Sequence, residues 1–436
     1  MEGWADTSPH HAKGPLARRG IGIPEILVFA VLLTSFFVKG TAGEDKPVPY
    51  DLLMIATMGG FFLFGLRFPV GVAWPASFWG LILLGYGIGG MGAVYMDRVQ
   101  SFMMICAYLV CSLLFFASFV YQDVARRMTV IFWAYTIAAL IAASIAIGAY
   151  FGLLSQATFL HFGRAASTFN DPNVYGPFLV APILFLSLRL SSARSMRELL
   201  YVPLVFVLLL GILLSFSRGA WGNLVLSAAI FFCLTLATSK SAKQSTRLII
   251  FAAGMALLVA IVLIIALSTP QVAVLFTERA SLMQDYDAGQ GGRFDTQLLA
   301  LKSIFENPLG IGPSQWAMVH HLDTHNVYLN IGVAGGFLSG LAFVGFVLVT
   351  MWRGAKACMV DMPGQDLLIV AYAVTMAHFA EALIIDVDNW RHLFLLMGMS
   401  WGGILAADVV RRRARDKKPQ RQPAFGQSAV MDGFPG

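Results

Sequence analysis

The sequence predicts an all-α polytopic membrane protein of about twelve transmembrane helices, with an outside loop-and-helix insertion between spans nine and ten. Three observations predict it. Hydrophobic residues make up 58% of the 436 residues and charged residues only 12%, more apolar side chain than one soluble core of this length can hide. Apolar runs long enough to cross ~30 Å of hydrocarbon follow one another along the chain. The cations also alternate between loops as the positive-inside rule requires.

The chain opens with a polar stretch, residues 1–20, read as a flexible cytoplasmic tail. The first apolar run follows Arg18 and Arg19; no small-residue cleavage site succeeds it, so it reads as a retained helix rather than a signal peptide. The spans are placed near 24–40, 50–66, 72–92, 100–121, 128–151, 173–190, 199–216, 219–238, 247–268, 326–350, 366–385 and 390–409. Residues 21–410 thus form the membrane domain, and 411–436 a basic, disordered cytoplasmic tail whose RRRARDKK run suits anionic lipid. The four cysteines are scattered and make neither a metal-ligand spacing nor a disulfide framework.

With the N-terminus inside, most inside loops carry a basic pair or triplet, such as Arg126–Arg127 or Lys240, Lys243 and Arg247. Most outside loops carry a lone cation: Arg98, Arg164, Arg218 or Arg391. A wrong span count would scramble that alternation, so both termini are placed inside. Topology does not require arginine outside, and each outside arginine needs another reason.

Four outside segments supply candidates. In HFGRAASTFNDPNVYGP (161–177), Asp171 and Pro172 suit an N-cap and first helical position, a helix start that favours an anion, with Arg164 upstream. The bland alternative is a capped helix beside a snorkelling arginine. In SFSRGAWGN (215–223), Arg218 sits in a tight hairpin among small neighbours, either a ligand site or an interface arginine.

The longest outside loop, 269–325, places Arg293 at a helix start after GQGG, and continues with apolar residues at helical spacing. It then runs through NPLGIGPSQW to His320-His321-Leu322-Asp323-Thr324-His325-Asn326. His321 and His325 are spaced for a shared metal face, but the glutamate of an HExxH site is absent. A general base near neutral pH is the better-supported role, and a cap on the tenth span the alternative. The last outside loop holds Asp386, Asp388, Arg391 and His392, which either contribute to the site or only form salt bridges at the interface. Within span eleven, His378 and Glu381 form a buried ionisable pair, functional or merely satisfied inside the bundle.

Five motifs in order, Arg164…Phe169-Asn170-Asp171-Pro172-Asn173, Ser217-Arg218-Gly219-Ala220, Gly292-Arg293, Asn307-Pro308-Leu309-Gly310-Ile311-Gly312 and His325-Asn326, resemble the O-antigen ligase / O-antigen polymerase superfamily of bacterial surface-polysaccharide assembly. The resemblance covers about 160–350, and the outside loop is smaller than in some members. It implies a C-type glycosyltransferase-like membrane fold in the bacterial inner membrane, without cofactor or metal. It implies transfer of a glycan from a polyprenyl-pyrophosphate carrier, at the periplasmic face and with inversion, to lipid A–core or another lipid-linked glycan. Those lipids, the bilayer and other polysaccharide-assembly proteins would be its partners, and nucleic acid would not. Under this reading His325 is the base, and Arg218 and Arg293 stabilise the leaving pyrophosphate. Arg164, Asn173, His321, Asp323, Asn326 and Arg391 contribute to substrate binding. A lipid-linked oligosaccharide flippase would instead require ionisable residues along a path through several spans, and here polar chemistry collects on one side. A non-catalytic scaffold would leave the outside arginines and the His325–Asn326 pair without a role.

Overall fold

The computed structural model describes residues 22–35, 49–63, 65–193, 195–280, 292–320 and 322–416. The amino-terminal helices are α1 (Ile23–Ser35), α2 (Pro49–Leu63), α3 (Ala73–Gly90), α4 (Met96–Gln122) and α5 (Val124–Tyr150). A short α6 (Gln156–Phe159) leads into the two-residue strands β1 (Leu160–His161) and β2 (Arg164–Ala165), which pair antiparallel. Then come α7 (Pro172–Phe178), α8 (Val180–Ser191), α9 (Tyr201–Leu214), α10 (Arg218–Ala237) and α11 (Ala242–Leu267). The insertion contributes α12 (Pro270–Ala280), α13 (Arg293–Glu306) and α14 (Trp316–His320). The chain finishes with α15 (Val327–Cys358), α16 (Gln365–Glu381) and α17 (Arg391–Asp416).

Every stretch expected to cross the bilayer carries a helix. Among the described residues, 9 helices are long and apolar enough to span a membrane. The remaining three expected spans carry shorter helices: α1 has 13 residues, α2 has 15 and α16 has 17. The described residues make a mainly helical, multi-pass membrane protein. The expected amino-terminal tail lies outside the described residues, as does the tail beyond 416. Residues 411–416, expected as disordered tail, instead continue α17.

The helix starts follow local chemistry. Asp171 caps α7 by accepting from Asn173 N at 2.8 Å, with Pro172 in the first turn. Ser217 caps α10 by accepting from Ala220 N, and Asn326 caps α15 by accepting from Tyr328 N and Leu329 N. Each takes up an amide that the first turn leaves without a helical partner. α16 is buried on nearly every side, between α10, α17, α8 and α5. α15 packs along α3, and α17 along α4. An aromatic cluster of Trp79, Phe343, Phe346, Phe379, Phe394 and Trp401 joins these layers.

α15 is broken at Gly335 and Gly336, the latter at φ 65°. The NPLGIG segment fills the break. Ile311 N donates to Val333 O and Gly312 N to Ala334 O, both at 2.9 Å, and Phe337 N donates to Pro308 O at 3.0 Å. The backbone groups freed by the break are thereby satisfied, which a membrane interior demands. Gly310, at φ 85°, and Gly336 must be glycine: a Cβ on either would collide with the opposing backbone, Ala334 O and Pro308 O respectively. Gln315 ties the same loop to the α3–α4 junction, accepting from Tyr95 N at 3.0 Å and donating to Tyr95 O at 3.1 Å. The motif is thus a structural plug as well as a connection.

Candidate functional site

The amino ends of α10 and α15 meet the carboxyl end of α16, and α7 packs against the start of α10. Val327 N donates to Ala382 O at 2.8 Å, and Tyr328 hydroxyl donates to Phe379 O at 2.9 Å, so the start of α15 is fastened to the last turn of α16. Gly219, the residue after Arg218, lies against Glu381 in that same turn: a Cβ there would sit 2.8 Å from Oε1. Arg218 and His325 therefore each stand within two residues of a contact to residues 381–382. Arg293 opens α13, which packs on α15 through Thr296, Ala300 and Ile304. One turn into α13, Gln297 Nε2 makes a long 3.5 Å approach to His325 O. Helix starts offer unpaired amides and the positive end of the helix dipole, so their meeting with arginines favours a multiply charged anion.

Arg164 is held from two sides. Its Nε donates to Ser215 O at 2.9 Å, and Nη2 donates to Asn173 Oδ1 at 2.7 Å. β2, the α7 start and the loop before α10 are joined through this one guanidinium. Ser167, Phe216 and His325, in three of the loops that form the site, all have positive φ: 54°, 47° and 46°. Non-glycine residues hold that conformation at a cost of roughly 1 kcal/mol or more, and such residues cluster at functional sites.

His325 is half-buried, and its Nδ1 lies 3.3 Å from Asp386 Oδ2. With Nδ1–H turned to the carboxylate, Nε2 keeps its lone pair and can accept a proton. Asp386 Oδ1 is buried and has no hydrogen-bond partner among the described residues. Asp323 and Asp388 complete a carboxylate group around this pair. Burial, then the Asp386 charge, raises the Asp323 carboxyl above its ordinary range, and His325 opposes the shift. Burial, and after it Asp386, push the Asp388 carboxyl up to about 7, against a 3.1 Å hydrogen bond donated by Asn330 Nδ2. Among the described residues, no group of three or more His, Cys, Asp and Glu side chains is placed to hold a metal ion.

The expected site residues separate into groups. His325, Asp323 and Asn326 gather at the start of α15, where the Asn326 side-chain oxygen serves as the helix cap. Arg218, Arg164 and Asn173 gather at the α7–α10 side. His321 lies outside the described residues. Arg391 forms a two-pronged pair with Asp51, Nε to Oδ1 at 2.8 Å and Nη2 to Oδ2 at 2.6 Å, which ties α17 to α2. His378 and Glu381 take separate partners. His378 bonds Val374 O and meets His392 Nε2 at 3.3 Å, while Glu381 Oε2 accepts from Asn223 Nδ2 at 2.7 Å.

Residues 203–344 match the family model of the O-antigen ligases. The resemblance read from the motifs is supported by this match. It runs from α9 to the middle of α15, and so contains Arg218, Arg293 and His325. No curated protein matches the chain. The O-antigen ligase match ends before α16, whereas Asp386 and Glu381 lie beyond it. The sequence leaves Asp386, in the last outside loop, open between a contribution to the site and an interface salt bridge. Nothing in its spacing points to His325, far upstream in the chain, because the pairing exists only once α15 and α16 are packed.

Proposed function

We propose that this protein transfers a glycan from a polyprenyl-pyrophosphate carrier to a hydroxyl of an acceptor glycan, at the outer face of the cytoplasmic membrane. The observation that carries this reading is the His325–Asp386 pair, 3.3 Å apart, fastened through α16 to the helix start bearing Arg218. A base beside an arginine-lined cluster of helix amino termini suits the attack of a hydroxyl on a sugar whose leaving group is a pyrophosphate. The match to O-antigen ligases supports the same class.

In this mechanism His325 Nε2 takes the proton from the acceptor hydroxyl. The acceptor oxygen attacks the anomeric carbon as the bond from that carbon to the phosphate oxygen breaks, and the configuration inverts. Arg218 and Arg293 bind the pyrophosphate and stabilise the charge that develops on the leaving oxygen. Arg164, oriented by Asn173 and Ser215, adds a third cation on the α7 side. Asp386 orients the imidazole and stabilises its protonated form. Asp323 and Asn326 shape the acceptor side, and Arg391 braces the start of α17. The acceptor is lipid A–core in a ligase and a second lipid-linked glycan in a polymerase.

The test is transfer by protein purified in detergent. It is given its host's lipid-linked glycan and each acceptor, with EDTA present, and wild type is compared with His325→Ala, Arg218→Ala and Arg293→Ala. Transfer by wild type and its loss in all three folded variants is the expected result. Full activity in His325→Ala and Arg293→Ala would remove the site assignment. Wild type that moves the lipid across liposomes without transferring glycan would replace the whole reading.

A further inference from the structure

Glu381 is a buried carboxyl that the mechanism does not use. It lies in the last turn of α16 and is 4% exposed. Its Oε2 accepts from Asn223 Nδ2 at 2.7 Å, and Ser227 hydroxyl donates to Asn223 Oδ1 at 3.0 Å, which fixes the amide so that its NH2 faces the carboxyl. Its Oε1 has no hydrogen-bond partner among the described residues and lies against Gly219. The carboxyl therefore spans the first two turns of α10, touching the backbone beside Arg218 with one oxygen and holding Asn223 with the other. The same turn of α16 holds the start of α15 through the Val327 N to Ala382 O bond. A polar group this deep in a helical bundle is costly unless it is used.

We infer that Glu381 is a positioning residue: with Asn223 it locks the start of α10 to α16, and so sets Arg218 against His325. This rests on the proposed transfer reaction for its meaning, but the lock itself is a statement about two helices. Gly219 belongs to the device, because only a residue without Cβ lets the carboxyl approach the helix start this closely. Displacement of a charged group by about 1 Å costs on the order of 100-fold in rate without touching the chemistry itself.

Two measurements test it on the full-length purified protein. In transfer kinetics, Glu381→Ala and Asn223→Ala each lower kcat roughly 100-fold. KM for the lipid-linked donor stays within about threefold, and the double variant is no worse than either single one. Glu381→Gln still accepts from Asn223 and restores most of kcat. Independently of activity, spin labels go on Gly222→Cys, a position with open space around it, and on exposed Ile384→Cys, with the native cysteines replaced by serine. They report the distance between α10 and the turn that follows α16. Glu381→Ala shifts or broadens that distance, and Glu381→Gln leaves it as in wild type. An unchanged distance in Glu381→Ala overturns the inference, as does a Glu381→Gln variant as impaired as Glu381→Ala. Wild type that transfers no glycan would sink the proposed function, while the label distances would still decide the lock.

Discussion

His325 Nδ1 lies 3.3 Å from Asp386 Oδ2, joining the residue before the α15 cap to the loop between α16 and α17. In the proposed transfer the pair divides the work of a base: Nε2 takes the acceptor proton while the carboxylate holds the ring. His325→Ala should lower kcat by roughly 100-fold to 10,000-fold, the range for loss of a general base. Asp386→Asn should keep the shape yet lose the charge, giving a smaller fall in kcat with little change in KM. Steady-state transfer assays on both variants and on their combination check this. A combined loss equal to the product of the single losses would mean the two act separately.

Arg164 should resist conservative replacement. Its guanidinium reaches Ser215 O and Asn173 Oδ1 at once, a fork that a lysine ammonium cannot reproduce. Arg164→Lys should behave almost like Arg164→Ala, raising KM for the lipid-linked donor about tenfold, the loss of one charge-assisted contact of ~1.4 kcal/mol. Donor titrations at saturating acceptor measure it. Wild-type kinetics in Arg164→Lys would show that the fork does not matter.

The break in α15 makes a sharper claim about stability. Gly336→Ala and Gly310→Ala each force a side chain into opposing backbone at positive φ, so both should cost several kcal/mol and abolish folded protein. Gly254→Ala, in the middle of α11 with nothing near the added methyl, should be neutral or slightly stabilising. Size-exclusion profiles and melting in detergent separate the two groups.

The Asp388 carboxyl predicts a pH dependence of stability. Its folded pKa, pushed up to about 7, exceeds the ordinary carboxylate value, so between these the folded state holds a proton that the unfolded state has lost. Its contribution to stability is therefore present at low pH and lost as pH rises through the window from ~4 to 7. Asp388→Asn should remove that dependence and melt several degrees higher than wild type at pH 8. A melting temperature with the same pH slope in both proteins would show that Asp388 does not titrate in this way.

Much of the fold was legible in sequence because the bilayer imposes a strong rule. Apolar length and cation alternation located every span-bearing helix, and side-chain caps marked where two begin, as Asp171 does for α7 and Asn326 for α15. Motif order then located Arg218, Arg293 and His325 inside the segment that matches the O-antigen ligases.

The sequence by itself therefore determined the class of the protein, the positions of its span-bearing helices and the residue types the proposed reaction would use. These depend on composition and on spacing within single segments. Only the tertiary structure decided which residues act on one another. It assigned Asp386 to His325, turned Arg391 towards Asp51, separated His378 from Glu381, and showed the NPLGIG loop filling the break in α15. Each of these is a contact between distant segments made by helix packing. Packing depends on side chains matched across the bundle in three dimensions, and no period or spacing along one chain carries that information.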